Sequence, residues 1–185
     1  MLDASNNVLM ISGATPSVGK TFISANLGTV MAQSGKKVLL IDSDMRKGYV
    51  HEMLKLDVGR GLSEVLSHQA EMAEVVRHTE VEGLDFISRG HLPPNPSELL
   101  LHRRFAELLD WASPQYDFVI LDAPPVLAVT DAAIMGQHVG TTLVVARFGQ
   151  STTKDVEASI VRFANSNVTV KGAIVNGMQQ SAHSY

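Results

Sequence analysis

Eight residues, Ala14-Thr15-Pro16-Ser17-Val18-Gly19-Lys20-Thr21, separate a short apolar run from a stretch with helical spacing. The run, Val8 to Ser12, suits a buried parallel strand. The stretch, Thr21 to Ser34, carries Phe22, Ile23, Leu27, Val30 and Met31 on a helical repeat and stops at Ser34-Gly35. A strand that enters a helix through a glycine-containing turn ending in Gly19-Lys20-Thr21 is the setting of a phosphate-binding loop. Backbone N–H groups of such a loop and the positive end of the helix face an anion. The lysine reaches phosphate oxygens and the hydroxyl serves a magnesium ion. The strict pattern places glycine at position 14, whereas this chain has Ala14 with Gly13 before it. A plain turn before a helix would account for Gly19 but not for Lys20-Thr21 at the helix start.

The rest of the chain repeats the alternation. Val38-Leu39-Leu40-Ile41 reads as a second buried strand ending at Asp42. From about Gly48 to Val81 the pattern is less regular, with short helical pieces at Val50–Leu54 and Leu62–His68. Leu84 to Ser88 reads as a third strand, and Pro96 begins a helix that continues from Ser97 to Leu109 with a break near Leu101. Phe118-Val119-Ile120-Leu121 is a fourth strand, Thr130-Asp131 caps a helix to about His138, and Thr141 to Phe148 is a fifth strand. A helix from Thr153 to Ala164 and a last strand from Val168 to Asn176 follow. Strands alternating with helices predict an α/β fold of the P-loop NTPase type, a mostly parallel central sheet with helices on both faces.

Composition narrows the chemistry. With 185 residues, 45% hydrophobic and 18% charged, the chain can bury one full core. The formal charge of −4 and basic residues scattered in pairs leave no footprint for a nucleic-acid groove. The absence of cysteine excludes a disulfide scaffold, a thiolate zinc site and a cysteine nucleophile. No apolar run approaches the roughly 20 residues of a membrane helix. The first residues lack the basic and apolar regions of a signal peptide. The seven histidines show no metal-binding spacing and read as surface or structural, and Ser17 does not stand in a hydrolase elbow.

Two further strand ends carry carboxylates. Ile41-Asp42-Ser43-Asp44-Met45-Arg46 closes the second strand, and Leu121-Asp122-Ala123-Pro124-Pro125 the fourth. In an open parallel sheet, ligands bind at the carboxyl ends of the strands. Of Asp42 and Asp44, one can hold or orient Mg²⁺ and the other accept a proton, while Asp122 stands where a metal-holding aspartate is expected. Each alone is weak; three on one sheet edge are not. Asn176, at the end of the last strand, either hydrogen-bonds a purine edge or is a plain turn residue. The nucleotide contacts expected from these strand ends are Thr15, Pro16, Ser17, Val18, Gly19, Lys20, Thr21, Phe22 and Asn176.

These three segments together resemble the nucleotide motifs of the bacterial tyrosine kinases that regulate capsule and exopolysaccharide export. Met45-Arg46-Lys47-Gly48-Tyr49, Gly61-Leu62-Ser63-Glu64, the run from Arg89 to Leu100 and Val129-Thr130-Asp131-Ala132-Ala133 resemble the proteobacterial Wzc/Etk type, so the likeness covers about Asn6 to Asn176. The resemblance implies transfer of the γ-phosphoryl of ATP to tyrosine. Lys20 and Thr21 would bind phosphate and Mg²⁺, and Thr21, Asp44 and Asp122 would hold the metal. Asp42 would be the base for the tyrosine hydroxyl, with Arg46 organising the site or an adjoining subunit. It also implies features outside this sequence, namely an arginine-bearing oligomerisation helix upstream and a tyrosine-rich tail downstream. Residues 1–178 are therefore expected to be a catalytic domain and 179–185 the start of the tail, of which only Tyr185 is present. Tyr49 and Tyr116 read as structural.

The implied partners are the protein's own tail or neighbouring subunits and a membrane-spanning polysaccharide-export segment, with no nucleic acid. The full-length protein would be a homo-oligomer at the inner membrane with this domain on the cytoplasmic side, the fragment by itself being able to stand as a monomer. Two other readings share these residues. One is a switch ATPase of the septum-placement or plasmid-partition kind, which normally carries a lysine where this chain has Thr15. The other is a catalytically silent nucleotide-sensing module that controls assembly of an export machine.

Overall fold

The computed structural model describes residues 4–178. Its strands are β1 (Val8–Gly13), β2 (Val38–Asp42), β3 (Arg77–His78), β4 (Leu84–Ile87), β5 (Phe118–Asp122), β6 (Thr141–Arg147) and β7 (Val170–Asn176). They form one sheet in the order β3-β4-β2-β5-β1-β6-β7. All neighbours pair in parallel except β3 and β4. The α-helices are α1 (Lys20–Gln33), α2 (Val50–Met53), α3 (Leu62–Leu66), α4 (Pro96–Leu101), α5 (Arg103–Ala112), α6 (Asp131–Gly136) and α7 (Thr153–Ala164).

The expected α/β fold is the observed one, and the differences from the sequence reading are local. The two-residue antiparallel strand β3 is too short to leave a hydropathy period. The expected break near Leu101 is real: His102, with φ −70° and ψ 143°, is extended and separates α4 from α5. Helix α6 does begin at Asp131, but no side chain caps it. The Asp131 carboxylate is engaged by Arg46 instead.

The central strands read as unbroken apolar runs because both of their faces are covered. Every residue of β1 and β2 is buried. Alternate side chains divide between two cores. Leu40, Ile120 and Ile11 pack with Ala25 and Ala32 of α1 on one face. Leu39, Ile41 and Leu121 pack with Leu62 of α3, Phe105 and Leu108 of α5 and Met135 of α6 on the other. Phe105 and Phe86 are wholly buried, and each such side chain contributes about 1.5–3 kcal/mol relative to exposure. This burial fixes the register of the parallel strands, so β1, β2, β5, β6 and β7 deliver Gly13, Asp42, Asp122, Arg147 and Asn176 to one edge of the sheet.

Candidate active site

The phosphate-binding loop follows β1 directly. Ala14 and Val18 are wholly buried, Pro16 and Ser17 exposed, and Thr15 and Gly19 half-buried. Alanine is tolerated at position 14 because only Ser17 (φ 64°) and Gly19 (φ 92°) adopt the left-handed conformation in this loop. Gly13 supplies the room instead: a Cβ there would lie 2.5 Å from Val18 Cγ2. Helix α1 starts with no side-chain cap, so its first N–H groups are left for an anion. Phe22, one turn in, is half exposed.

Lys20 and Thr21 turn inward towards β5. Lys20 Nζ lies 3.5 Å from Asp44 Oδ2 and 4.0 Å from Asp122 Oδ2, with both carboxylates buried. Thr21 Oγ1 donates to Asp122 Oδ2 at 2.7 Å and Ser24 Oγ to Asp122 Oδ1 at 2.9 Å. Burial pulls the Lys20 ammonium down, but Asp122 and Asp44 outweigh it and hold its pKa above the ordinary value. Burial drives the Asp122 carboxyl up against the opposing pull of Lys20 and the two hydroxyls.

Asp42 lies beside Asp122 in register, and its carboxyl is pushed up to about 8 by burial and by Asp122. Its environment is not that of an exposed base. Oδ1 accepts from Asp44 N at 3.2 Å and Oδ2 from Val50 N at 3.1 Å, and the side chain is wholly buried. Gly48 lies over it so closely that a Cβ would sit 2.2 Å from Oδ1. The expectation that Asp42 meets a tyrosine hydroxyl does not fit this conformation, because the segment from Asp44 to Val50 seals it. Asp44 is the carboxylate that lines the cavity, braced by Arg46 N and Lys47 N on Oδ1.

The cavity above the loop has a volume of about 410 Å³. Lys20, Asp44 and Arg46 form its polar wall, and Pro124, Pro125, Ala128 and Val129 its apolar wall. Tyr49 also lines it, half exposed, where the sequence reading made it a structural residue. Tyr116 is structural as expected: its hydroxyl donates to Asp85 Oδ2 at 2.8 Å. Arg46 is held from below. Its Nε and Nη2 donate to the two oxygens of the buried Asp131 at 2.9 and 3.1 Å, and Nη2 also reaches Ser97 Oγ at 3.0 Å. Ser97 Oγ in turn donates to Asp131 Oδ1 at 2.6 Å. A bidentate pair of this kind fixes both position and plane of the guanidinium.

Asn176, read from sequence as either a purine contact or a turn residue, is engaged through its amide nitrogen. Its Nδ2 donates to Val18 O at 3.0 Å, in the phosphate-binding loop itself. Ser24, Ser97, Asp131 and Arg147 were missed from sequence. Only Ser24 left a signal, since it stands one helical turn after Lys20 and Thr21 on the same face of α1.

Residues therefore fit a magnesium-bound nucleotide: a lysine and free helix N–H groups for phosphates, and oxygen donors around Thr21 and Asp122 for a hard cation. Fold and site define a nucleotide-binding protein of the P-loop class. Comparison with known proteins goes further. A family model described as an AAA domain matches residues 7–176. Tyrosine-protein kinase wzc of Salmonella typhimurium is 52% identical over 185 residues, all of this chain but 26% of that protein. The solved kinase domain of Escherichia coli tyrosine kinase ETK is 51% identical with a TM-score of 0.92, covering 97% of this chain and 72% of that one. The septum site-determining protein MinD of Pyrococcus horikoshii, solved with Mg-ADP, has a TM-score of 0.77 at 22% identity, covering 92% and 70%, a likeness of fold alone. The chain belongs to the bacterial tyrosine-protein kinase family of the Wzc and Etk type. It spans about a quarter of the length of the curated relatives it matches.

Proposed function

We propose that this chain is the ATP-binding, phosphoryl-transferring module of a protein-tyrosine autokinase that regulates exopolysaccharide or capsule polymerisation and export. The observation that carries the reading is the convergence on Asp122 of Thr21, Ser24 and Lys20, beside a cavity with one charged and one apolar wall. Thr21, Asp44 and Asp122 would hold Mg²⁺, which when bound neutralises charge on the phosphates. Among the described residues no three His, Asp or Glu side chains group as a cage. Magnesium of this kind is held by one or two carboxylates together with substrate phosphates.

Lys20 takes the β/γ oxygens, and the loop N–H groups bind the phosphate chain. In the transfer, the bond from the γ-phosphorus to the β–γ bridging oxygen breaks and a bond to the phenolic oxygen forms. The phenolic proton passes to a carboxylate. Asp44 reaches the cavity as folded; Asp42 can take that proton only after Gly48 lifts off it. Pro124, Pro125 and Val129 on the cavity wall would give a phenol ring apolar contact that a short serine side chain lacks. The switch-ATPase reading lacks its signature lysine, since position 15 is a half-buried threonine.

The full-length protein incubated with Mg-ATP should gain phosphotyrosine in its C-terminal tail, and Lys20→Met should abolish the signal. ATP hydrolysis without any phosphotyrosine would remove the kinase reading in favour of the switch. For residues 1–185 alone, nucleotide binding with weak or no autophosphorylation is expected.

A further inference from the structure

The phosphate-binding loop has its carbonyl groups tied down on the outside. Gly13 O accepts from Val126 N at 2.9 Å and Ala14 O from Leu127 N at 3.3 Å, both backbone contacts from the segment after Pro125. On the opposite flank the partners are side chains. Ser17 O accepts from Arg147 Nη1 at 3.3 Å, and Val18 O from Asn176 Nδ2 at 3.0 Å. Gly19 O is taken by Ile23 N at 3.0 Å as α1 begins. In a trans peptide the C=O of one residue and the N–H of the next point in opposite directions. Anchoring Ser17 O and Val18 O therefore aims the N–H groups of Val18 and Gly19 away from the ends of β6 and β7. Among the described residues neither N–H has a protein acceptor. Positive φ at Ser17 and Gly19, on either side of Val18, is the alternating backbone that gathers successive N–H groups into an anion-binding concavity.

The Asn176 amide is packed into this arrangement. A Cβ on Gly19 would lie 2.1 Å from Asn176 Nδ2, so a side chain at position 19 would push the amide from its place. We infer that Asn176, assisted by Arg147, is a positioning residue that preorganises the loop for the phosphate chain, so that it governs affinity for triphosphate whatever base is attached. The inference rests on the nucleotide-site reading above and assigns Asn176 a role that does not involve reading the purine.

Binding measured by calorimetry on the 185-residue chain tests it. Asn176→Ala should weaken Mg-ATP, Mg-GTP and Mg-tripolyphosphate by one common factor of about tenfold, the worth of one good hydrogen bond. Asn176→Asp keeps the shape but loses the donor and should weaken all three at least as much. Arg147→Ala, which removes the longer and more exposed bond, should cost all three about two- to threefold. Loss of ATP affinity with tripolyphosphate unchanged, or a changed ATP-to-GTP ratio, would overturn the inference in favour of purine recognition. Unaltered affinities in Asn176→Asp would overturn it outright. If the wild-type chain bound neither ATP nor tripolyphosphate, the nucleotide site itself would fall. Wild-type binding with indifferent variants removes only the role of Asn176.

Discussion

Asp42 ends β2 in register with Asp122. The strand end places it beside Asp122, yet both of its oxygens accept backbone N–H groups and Gly48 closes over them. Asparagine in its place keeps one acceptor and presents an NH₂ to the other donor, leaving a buried N–H unpaired at a cost of about 1–3 kcal/mol. Asp42→Asn is therefore expected to lower the melting temperature by roughly 2–12 °C for a domain of this size. ATP affinity and transfer should fall together, as the segment carrying Asp44 and Arg46 loosens. A variant that melts like wild type and binds ATP equally but loses transfer would restore Asp42 as the base. Asp42 and Asp122 were legible because each ends an apolar run, and Asp44 because it follows Asp42 by two positions. Asp131 was not, because the Arg46 it holds lies 85 positions away, and nothing in a local pattern records such a contact.

At the scale of elements, the short helix α3 is held by a side chain the sequence presented only as part of a motif. Glu64 Oε2 accepts from Gly61 N at 2.7 Å, while Oε1 accepts from His91 N at 3.2 Å and contacts His91 Nδ1 at 2.8 Å. Burial opposes its ionisation, but the bonds from Gly61 and His91 outweigh this and hold its pKa below the ordinary 4.5. A carboxylate with a depressed folded pKa stabilises the fold fully above its unfolded value, and that stabilisation is lost as pH falls through the folded value. Glu64→Gln should therefore melt lower than wild type at pH 7, with the gap narrowing below about pH 4.5. Melting curves from pH 7 to 3 check this; a gap that stays constant over the range would show that Glu64 acts by shape alone. The helical piece around Leu62 was readable from hydropathy. Its tie to the loop at His91 was not, because Glu64 and His91 stand 27 positions apart and no local pattern records their contact.

For the whole molecule, the site is spread over the ends of five strands that share one edge, so ligand binding ties together elements distant in sequence. A ligand that binds only the folded chain stabilises it by about 2.7 kcal/mol at a hundredfold excess over its Kd. Mg-ADP at that excess should raise the melting temperature by roughly 5–11 °C, and Lys20→Met should lose most of the shift. An equal shift in both would mean that Lys20 does not contact the nucleotide. The alternation of buried strands and helices, the parallel sheet and the loop ending at Thr21 were determined by sequence alone, because hydrophobic period and glycine placement are local physics. The expected tail from Gln179 to Tyr185 lies outside the described residues. Tertiary structure decided which carboxylate faces the cavity, what steadies Arg46, and that Asn176 grips the loop. Those depend on the order β2-β5-β1-β6-β7, which brings strand ends together by packing and leaves no trace in the neighbourhood of any one of them.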